Sequence, residues 1–162
     1  MPKRRNQIAM SPDEQAAYME SGRTLQLATI GRDGYPHLSA MWYAILDGKI
    51  CFNTYGSSQK GLNMERDARV TCMIESGAEY TQLKGLVVQG RVEVLDDPDV
   101  IRAFGAEIFR RYPTPEGTAP KDAANERNVP SEKTFKPKRK FYTVTPHKIY
   151  SWDHAKLPTG VY

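Results

Sequence analysis

Thiol and imidazole are scarce in this chain, with two cysteines and three histidines in 162 residues. Cys51 and Cys72 stand in separate apolar segments without paired-ligand spacing, and His37, His147 and His154 are scattered, which excludes a zinc-type centre. Both thiols read as reduced core residues of a cytosolic protein. No run approaches the ~18 consecutive apolar residues of a membrane span. The Met-Pro-Lys-Arg-Arg start has no apolar stretch behind it, so a soluble, cytoplasmic protein is expected. Gly-x-Ser-x-Gly, Gly-x-x-x-x-Gly-Lys and a strand-linked Gly-x-Gly-x-x-Gly are all missing. That leaves no signature of a serine hydrolase, a phosphate-loop enzyme or a dinucleotide-binding unit.

Helix signals are also few. Ser11-Pro12-Asp13-Glu14 combines an N-cap, a proline at the first helical position and a capping-box glutamate, opening a helix to about Ser21 within an N-terminal region 1–21. A second helix is expected over 98–111, where Val100, Ile101, Phe104, Ile108 and Phe109 recur at helical spacing as a packing stripe. With 40% hydrophobic residues, 1–162 fits one domain whose moderate core dimerisation would extend.

What is abundant is strand pattern. Residues 24–30 and 36–45 are rich in β-branched, aromatic and other apolar types, and Gly31-Arg32-Asp33-Gly34 between them carries a hairpin signal. Asp47-Gly48 then leads into 50–53, which predicts a three-stranded antiparallel meander. In 36–45 His37, Ser39, Met41 and Tyr43 share one face, and Leu38, Ala40, Trp42 and Ala44 share the other. Neither face is clearly polar, so both need cover, the outer one from a partner subunit. Further strands are expected at 70–74, 80–95 and 141–144, with Gly85 and Gly90 either marking bulges or close backbone approach or simply tolerated there.

After Asn53 comes Thr54-Tyr55-Gly56-Ser57-Ser58-Gln59-Lys60, followed by a helix-like Gly-Leu-Asn-Met-Glu-Arg-Asp. Ser57 or Ser58 is the expected N-cap. Free N–H groups and the positive dipole end of a helix start favour an anion, and hydroxyls with a lysine in the first turn would complete a phosphate seat. The bland alternative is an ordinary capped helix with a solvated lysine.

These pieces in this order resemble the pyridoxamine 5′-phosphate oxidase-like proteins with a flavin-binding split β-barrel, including the branch that uses the deazaflavin coenzyme F420. The resemblance rests on Leu27-Ala28-Thr29, on Asp33 with Gly34-Tyr35-Pro36-His37-Leu38, on Ser39 through Tyr43, and on Ile50 through Thr54. It continues through Ser58-Gln59-Lys60-Gly61-Leu62-Asn63, Glu65 through Val70, and Val88 through Glu93, covering roughly 22–96. Ile149-Tyr150-Ser151-Trp152-Asp153 is similar to the family's last strand. The resemblance implies a mainly β, six-stranded antiparallel split barrel, assembled as a homodimer with two cofactor sites between subunits. It implies Ser39, Ala40, Met41 and Trp42 along the tricyclic ring, and Asn53, Thr54, Ser57, Ser58, Gln59 and Lys60 around the phosphate. Trp152 would come from the other subunit.

Two departures weigh against vitamin B6 oxidase activity: Gly85 stands where the oxidase proper has a glutamine, and the ending 154–162 has no arginine. Residues 112–138 hold five prolines and read as a long excursion, with Tyr112, Arg127 and Phe135 as candidate lid contacts. Lys136, Lys138, Arg139 and Lys140 form a basic run in a chain of net charge +4, either a solvated face or an attractor for an acidic cofactor tail.

The expected chemistry is hydride transfer between a ring cofactor, F420 or FMN, and a small unsaturated molecule, since a cofactor enzyme needs orientation and electrostatics from its protein rather than a catalytic motif. Tyr43, Tyr55 and His154 are candidate proton donors. The alternatives are an FMN-dependent oxidase or flavin reductase, a cofactor carrier without turnover, and a small barrel stacking single-stranded nucleic acid on Trp42, Tyr43 and Tyr55.

Overall fold

The computed structural model describes residues 4–113 and 139–157. Local rules shape its start. A short helix α1 (Arg4–Gln7), not expected from the sequence, precedes α2 (Pro12–Ser21). The Ser11 hydroxyl accepts the Glu14 N–H at 3.3 Å and the Glu14 carboxylate accepts the Ser11 N–H at 2.7 Å, so the capping box forms in full. The strands follow as β1 (Leu25–Ile30), β2 (Pro36–Met41), β3 (Ala44–Leu46) and β4 (Lys49–Tyr55). After α3 (Gln59–Arg66) come β5 (Arg69–Ser76), β6 (Lys84–Leu95), α4 (Pro98–Arg111) and β7 (Arg139–Asp153). Asp47 and Gly48 both adopt positive φ, 49° and 72°, as a type I′ turn between β3 and β4 requires.

These strands form one antiparallel sheet in the order β2-β1-β5-β6-β7-β4-β3, curled into a split barrel. The expected strand 36–45 is therefore corrected. It breaks at Trp42-Tyr43 into β2 and β3, which lie at opposite edges of the sheet, so two hairpins replace the meander and seven strands replace six. The reason lies at Tyr43, whose side chain is fully buried and whose backbone N–H and C=O both bond the Tyr112 hydroxyl, at 3.1 Å each, instead of a neighbouring strand.

β6 and β7 are longer than their sequence pieces suggested. The expected strand 80–95 begins only at Lys84, after a 3-10 turn at Tyr80–Gln82, while 141–144 and 149–153 merge through Pro146 into β7. Pro146 has no N–H to give, and it pairs with Gly90 at the point where the ladder shifts register, which is where a proline is tolerated. The barrel interior holds Leu25, Leu27, Phe52, Ile74, Leu86, Val88 and Val144, with Cys72 among them. A second cluster joins Ala44 and Cys51 to Ile101, Phe104 and Phe141 under α4. Ile108 packs on that cluster, but Phe109 is exposed, so the helix stripe is narrower than its spacing suggested.

Beside the break at Tyr43 the C-termini of α2 and α4 meet. Arg111, its side chain 1% exposed, donates to the carbonyls of Met19 (3.2 Å), Glu20 (3.0 Å) and Gly22 (2.7 Å), and Arg23 donates to the Arg111 carbonyl at 2.6 Å. Each helix thus has its orphan carbonyls satisfied by an arginine from beside the other.

Candidate functional site

The helix start expected to seat an anion is built as a cap. Ser58, not Ser57, is the N-cap of α3: its hydroxyl accepts the Gly61 N–H at 3.2 Å, donates to the Tyr55 carbonyl at 2.7 Å and lies 3.1 Å from the Thr54 hydroxyl. Any side chain at Gly61 would meet the Tyr55 and Gly56 carbonyls at 2.6 and 2.7 Å, so the helix sits directly on the preceding turn. The Ser58 hydroxyl satisfies Gly61, and the helix ladder takes Leu62, which leaves the first N–H groups, those of Gln59 and Lys60, to point out of the helix end. Lys60 is half-buried and pairs with no carboxylate among the described residues. Ser57 is exposed beside it.

The register of β4 on β7 brings further cations to this end. Thr54 lies across from Lys140 and Tyr55 across from Arg139. The Arg139 guanidinium stands 4.2 Å over the Tyr55 ring, bonds its hydroxyl at 3.3 Å and reaches the Asn53 amide oxygen at 3.5 Å. Lys140 runs along Gly56 to Glu65 on α3, at 3.5 Å. The basic run was visible in the sequence; its pairing with this loop was not, because strand register across an excursion of such length leaves no local mark. Lys136, Lys138, Arg127 and Phe135 lie outside the described residues.

Under the helix start, Asn63 is fully buried. Its amide donates to the Thr29 hydroxyl at 3.0 Å, and its oxygen accepts Gln59 at 2.8 Å and Arg66 at 3.2 Å. Gln59 is therefore held in place by its own helix. Beyond Gln59 a cleft of about 520 Å³ opens between α3 and the β1–β2 turn, lined in part by Arg32, Tyr35 and His37.

Along β2, pairing with Leu27 and Leu25 puts Ser39 and Met41 on the barrel's inner face, whereas Leu38 and Ala40 lie on the outer face and Leu38 is 64% exposed. The Ser39 hydroxyl and His37 Nδ1 are buried without a partner among the described residues. Ser39 can therefore meet an outer ligand only through its backbone. That backbone is available, because β2 is an edge strand with one side out of the ladder. Trp42, at the end of β2, is 42% exposed and stacks on Tyr112 with centroids 4.4 Å apart and planes 9° from parallel.

Trp152 lies across Gly85 on the neighbouring strand, and a Cβ on Gly85 would fall inside the indole. The glycine is there because the aromatic ring occupies the space of a side chain.

One of the three candidate proton donors, Tyr43, changes status. The Tyr43 hydroxyl is buried, donates to the Met19 carbonyl at 2.6 Å, and burial pushes its pKa up to about 12, which removes it from chemistry at the surface. It also removes Tyr43 from any nucleic-acid stacking platform. His154 has Nδ1 2.8 Å from the Tyr80 carbonyl and packs on the Tyr80 ring, while Tyr55 is exposed under Arg139.

A curled antiparallel sheet with an open edge strand, beside a capped helix start near Lys60, Arg139 and Lys140, defines a split barrel. The family model described as pyridoxamine 5′-phosphate oxidase matches residues 11–153, and the chain belongs to that family. No curated protein matches the chain. Among solved structures, a conserved hypothetical protein from Mycobacterium tuberculosis is 37% identical over 96% of this chain and 94% of its own, with a TM-score of 0.80. An F420 reductase is 25% identical over 86% of this chain and 98% of its own, with a TM-score of 0.62. A FAD-binding protein from Mesorhizobium loti shares the fold at 17% identity, covering 88% of this chain and 94% of its own, with a TM-score of 0.60.

Proposed function

We propose that the protein is an oxidoreductase that binds a phosphate-bearing flavin or deazaflavin and moves hydride to or from a small unsaturated molecule. The observation that carries this reading is the start of α3, where two outward N–H groups and Lys60 lie on one loop with Lys140 and Arg139 on the strand beside it. The residues fit the group's phosphate. Gln59 and Lys60 would hold it through their N–H groups, and the Lys60 ammonium would neutralise it. The open backbone edge of Ser39, Ala40 and Met41 would align the ring, with Trp42 as a wall. When bound, the ring supplies the hydride chemistry, and solvent supplies any proton. Coenzyme F420 is favoured over FMN, because three cations near the seat suit a polyanionic tail and because the F420 reductase is among the similar structures.

The assembly proposed is a homodimer. Leu38 and Ala40 lie on the outer face of β2 and Trp42 beyond its end is exposed too, so a second copy would cover them, with Trp152 proposed to reach the partner's site.

Paired titrations with FMN and with F420, following quenching of Trp42 and Trp152 fluorescence, test the reading. Tight binding of F420 alone makes the protein an obligate hydride-transferring reductase. Preference for FMN makes it an oxidase or flavin reductase, and binding of neither overturns the proposal. Lys60→Ala should weaken binding by about 1.5–3 kcal/mol, as expected for loss of a charge-assisted bond.

A further inference from the structure

The break between β2 and β3 is held from outside the sheet. At Tyr43 the backbone leaves the ladder, and its N–H and C=O would stay unpaired unless something replaced the neighbouring strand. One hydroxyl does so: Tyr112 accepts the Tyr43 N–H and donates to the Tyr43 carbonyl, both at 3.1 Å. The same side chain lies parallel to the indole of Trp42. A third constraint comes from the preceding residue, since the Arg111 guanidinium sits 4.5 Å from the centroid of the Tyr43 ring and is anchored on the carbonyls of α2. Two consecutive residues at the end of α4 thus grip two consecutive residues at the sheet break, one gripping backbone and indole, the other the buried ring.

We propose that Tyr112 is a positioning residue for the ring end of the site, setting the plane of Trp42 so that its uncovered face can take a planar ligand as a third layer of the stack. The inference rests on the proposed function. One face of Trp42 is covered by Tyr112 and the residue is still 42% exposed, so a planar ligand stacking on the indole would have to use the opposite face. A free tryptophan at a strand end would sample several rotamers and lose that entropy on binding; a stacked one has lost it already. The effect falls on affinity for the ring system, and the phosphate seat on α3 is untouched.

Tyr112→Phe and Tyr112→Leu test this with riboflavin, FMN and F420 as ligands and Lys60→Ala as the contrast. The phenylalanine keeps the stack and loses the backbone bridge; the leucine loses both. We expect the leucine variant to lose about three- to tenfold in affinity for all three ligands, phosphate-bearing or not, the range an aromatic pair accounts for. The phenylalanine variant should lose less. Lys60→Ala should weaken FMN and F420 and leave riboflavin unchanged. In the ligand-free protein, near-ultraviolet circular dichroism should lose tryptophan intensity in the leucine variant and keep it in the phenylalanine variant. Unchanged affinities in the leucine variant, with binding intact in the natural protein, would overturn the role of Tyr112 alone. A natural protein that binds none of the three would overturn the reading beneath it as well.

Discussion

Replacing Arg111 by alanine should cost more stability than any surface change in this protein. The guanidinium spends its two terminal nitrogens on three backbone carbonyls and on the Glu20 carboxylate at 3.0 Å, and it covers the Tyr43 ring. The Met19 carbonyl would keep the Tyr43 hydroxyl, whereas those of Glu20 and Gly22, left without a donor in a dry setting, cost about 1–3 kcal/mol each. Glu20 is half exposed, so water can follow it in and recover part of that loss. The net expectation is about 3–5 kcal/mol, in line with removal of one partner from a buried charged network. Arg111→Lys should recover only part of it, because an ammonium cannot span three carbonyls with a planar fork. Urea unfolding, with midpoint and slope compared across the natural protein and both variants, measures this directly. A loss below about 1 kcal/mol in the alanine variant would refute the reasoning, since it would mean that the carbonyls find other donors at no cost.

Other expectations are smaller in scope. Glu14 is held near a pKa of about 2, first by its hydrogen bond from Lys156 at 2.6 Å and next by the Ser11 N–H. A depressed carboxyl contributes stability that is present above its ordinary value of 4.5 and lost as pH falls toward about 2, so thermal melts between pH 5 and pH 2 should converge with those of Glu14→Gln as the pH drops. Gly85→Ala should expel the Trp152 indole, costing about 1–3 kcal/mol and shifting its emission; an unchanged emission spectrum and midpoint would count against the packing described. Burial pushes the Cys72 thiol up to about 12 and raises that of Cys51, so a maleimide should label neither in the native protein at neutral pH and both in urea.

Much of the barrel was legible because its signals are local. The capping box at Ser11, the Asp47-Gly48 turn and the α3 start each lie within a few residues, and each forms at the expected place. The strand break at Trp42-Tyr43 was not legible, because the sequence there continues an apolar alternation and the group that interrupts it, Tyr112, is distant in the chain. Tyr43, a candidate proton donor by sequence, is for the same reason a core residue held at that break. Arg139 and Lys140 were seen as charge, but their place beside Thr54 and Tyr55 follows from register, which composition does not encode. Of the residues carried over by resemblance, Thr54, Ser58, Gln59 and Lys60 fall together at one loop. Ser39 and Met41 turn inward, leaving their backbone as the part that faces out.

The two edge strands of the sheet are separated in the chain by Trp42 and Tyr43 alone. An open sheet ordinarily has edges that must find each other through space, with an entropic penalty that grows with the length of chain between them. Here that length is near its minimum. Once the β1–β2 and β3–β4 hairpins have formed, their shared tether fixes how far the edges can separate, and wrapping the sheet becomes a matter of filling in β5, β6 and β7 between two strands already joined. The edges should therefore exchange amide hydrogens as one cooperative unit, opening together or not at all.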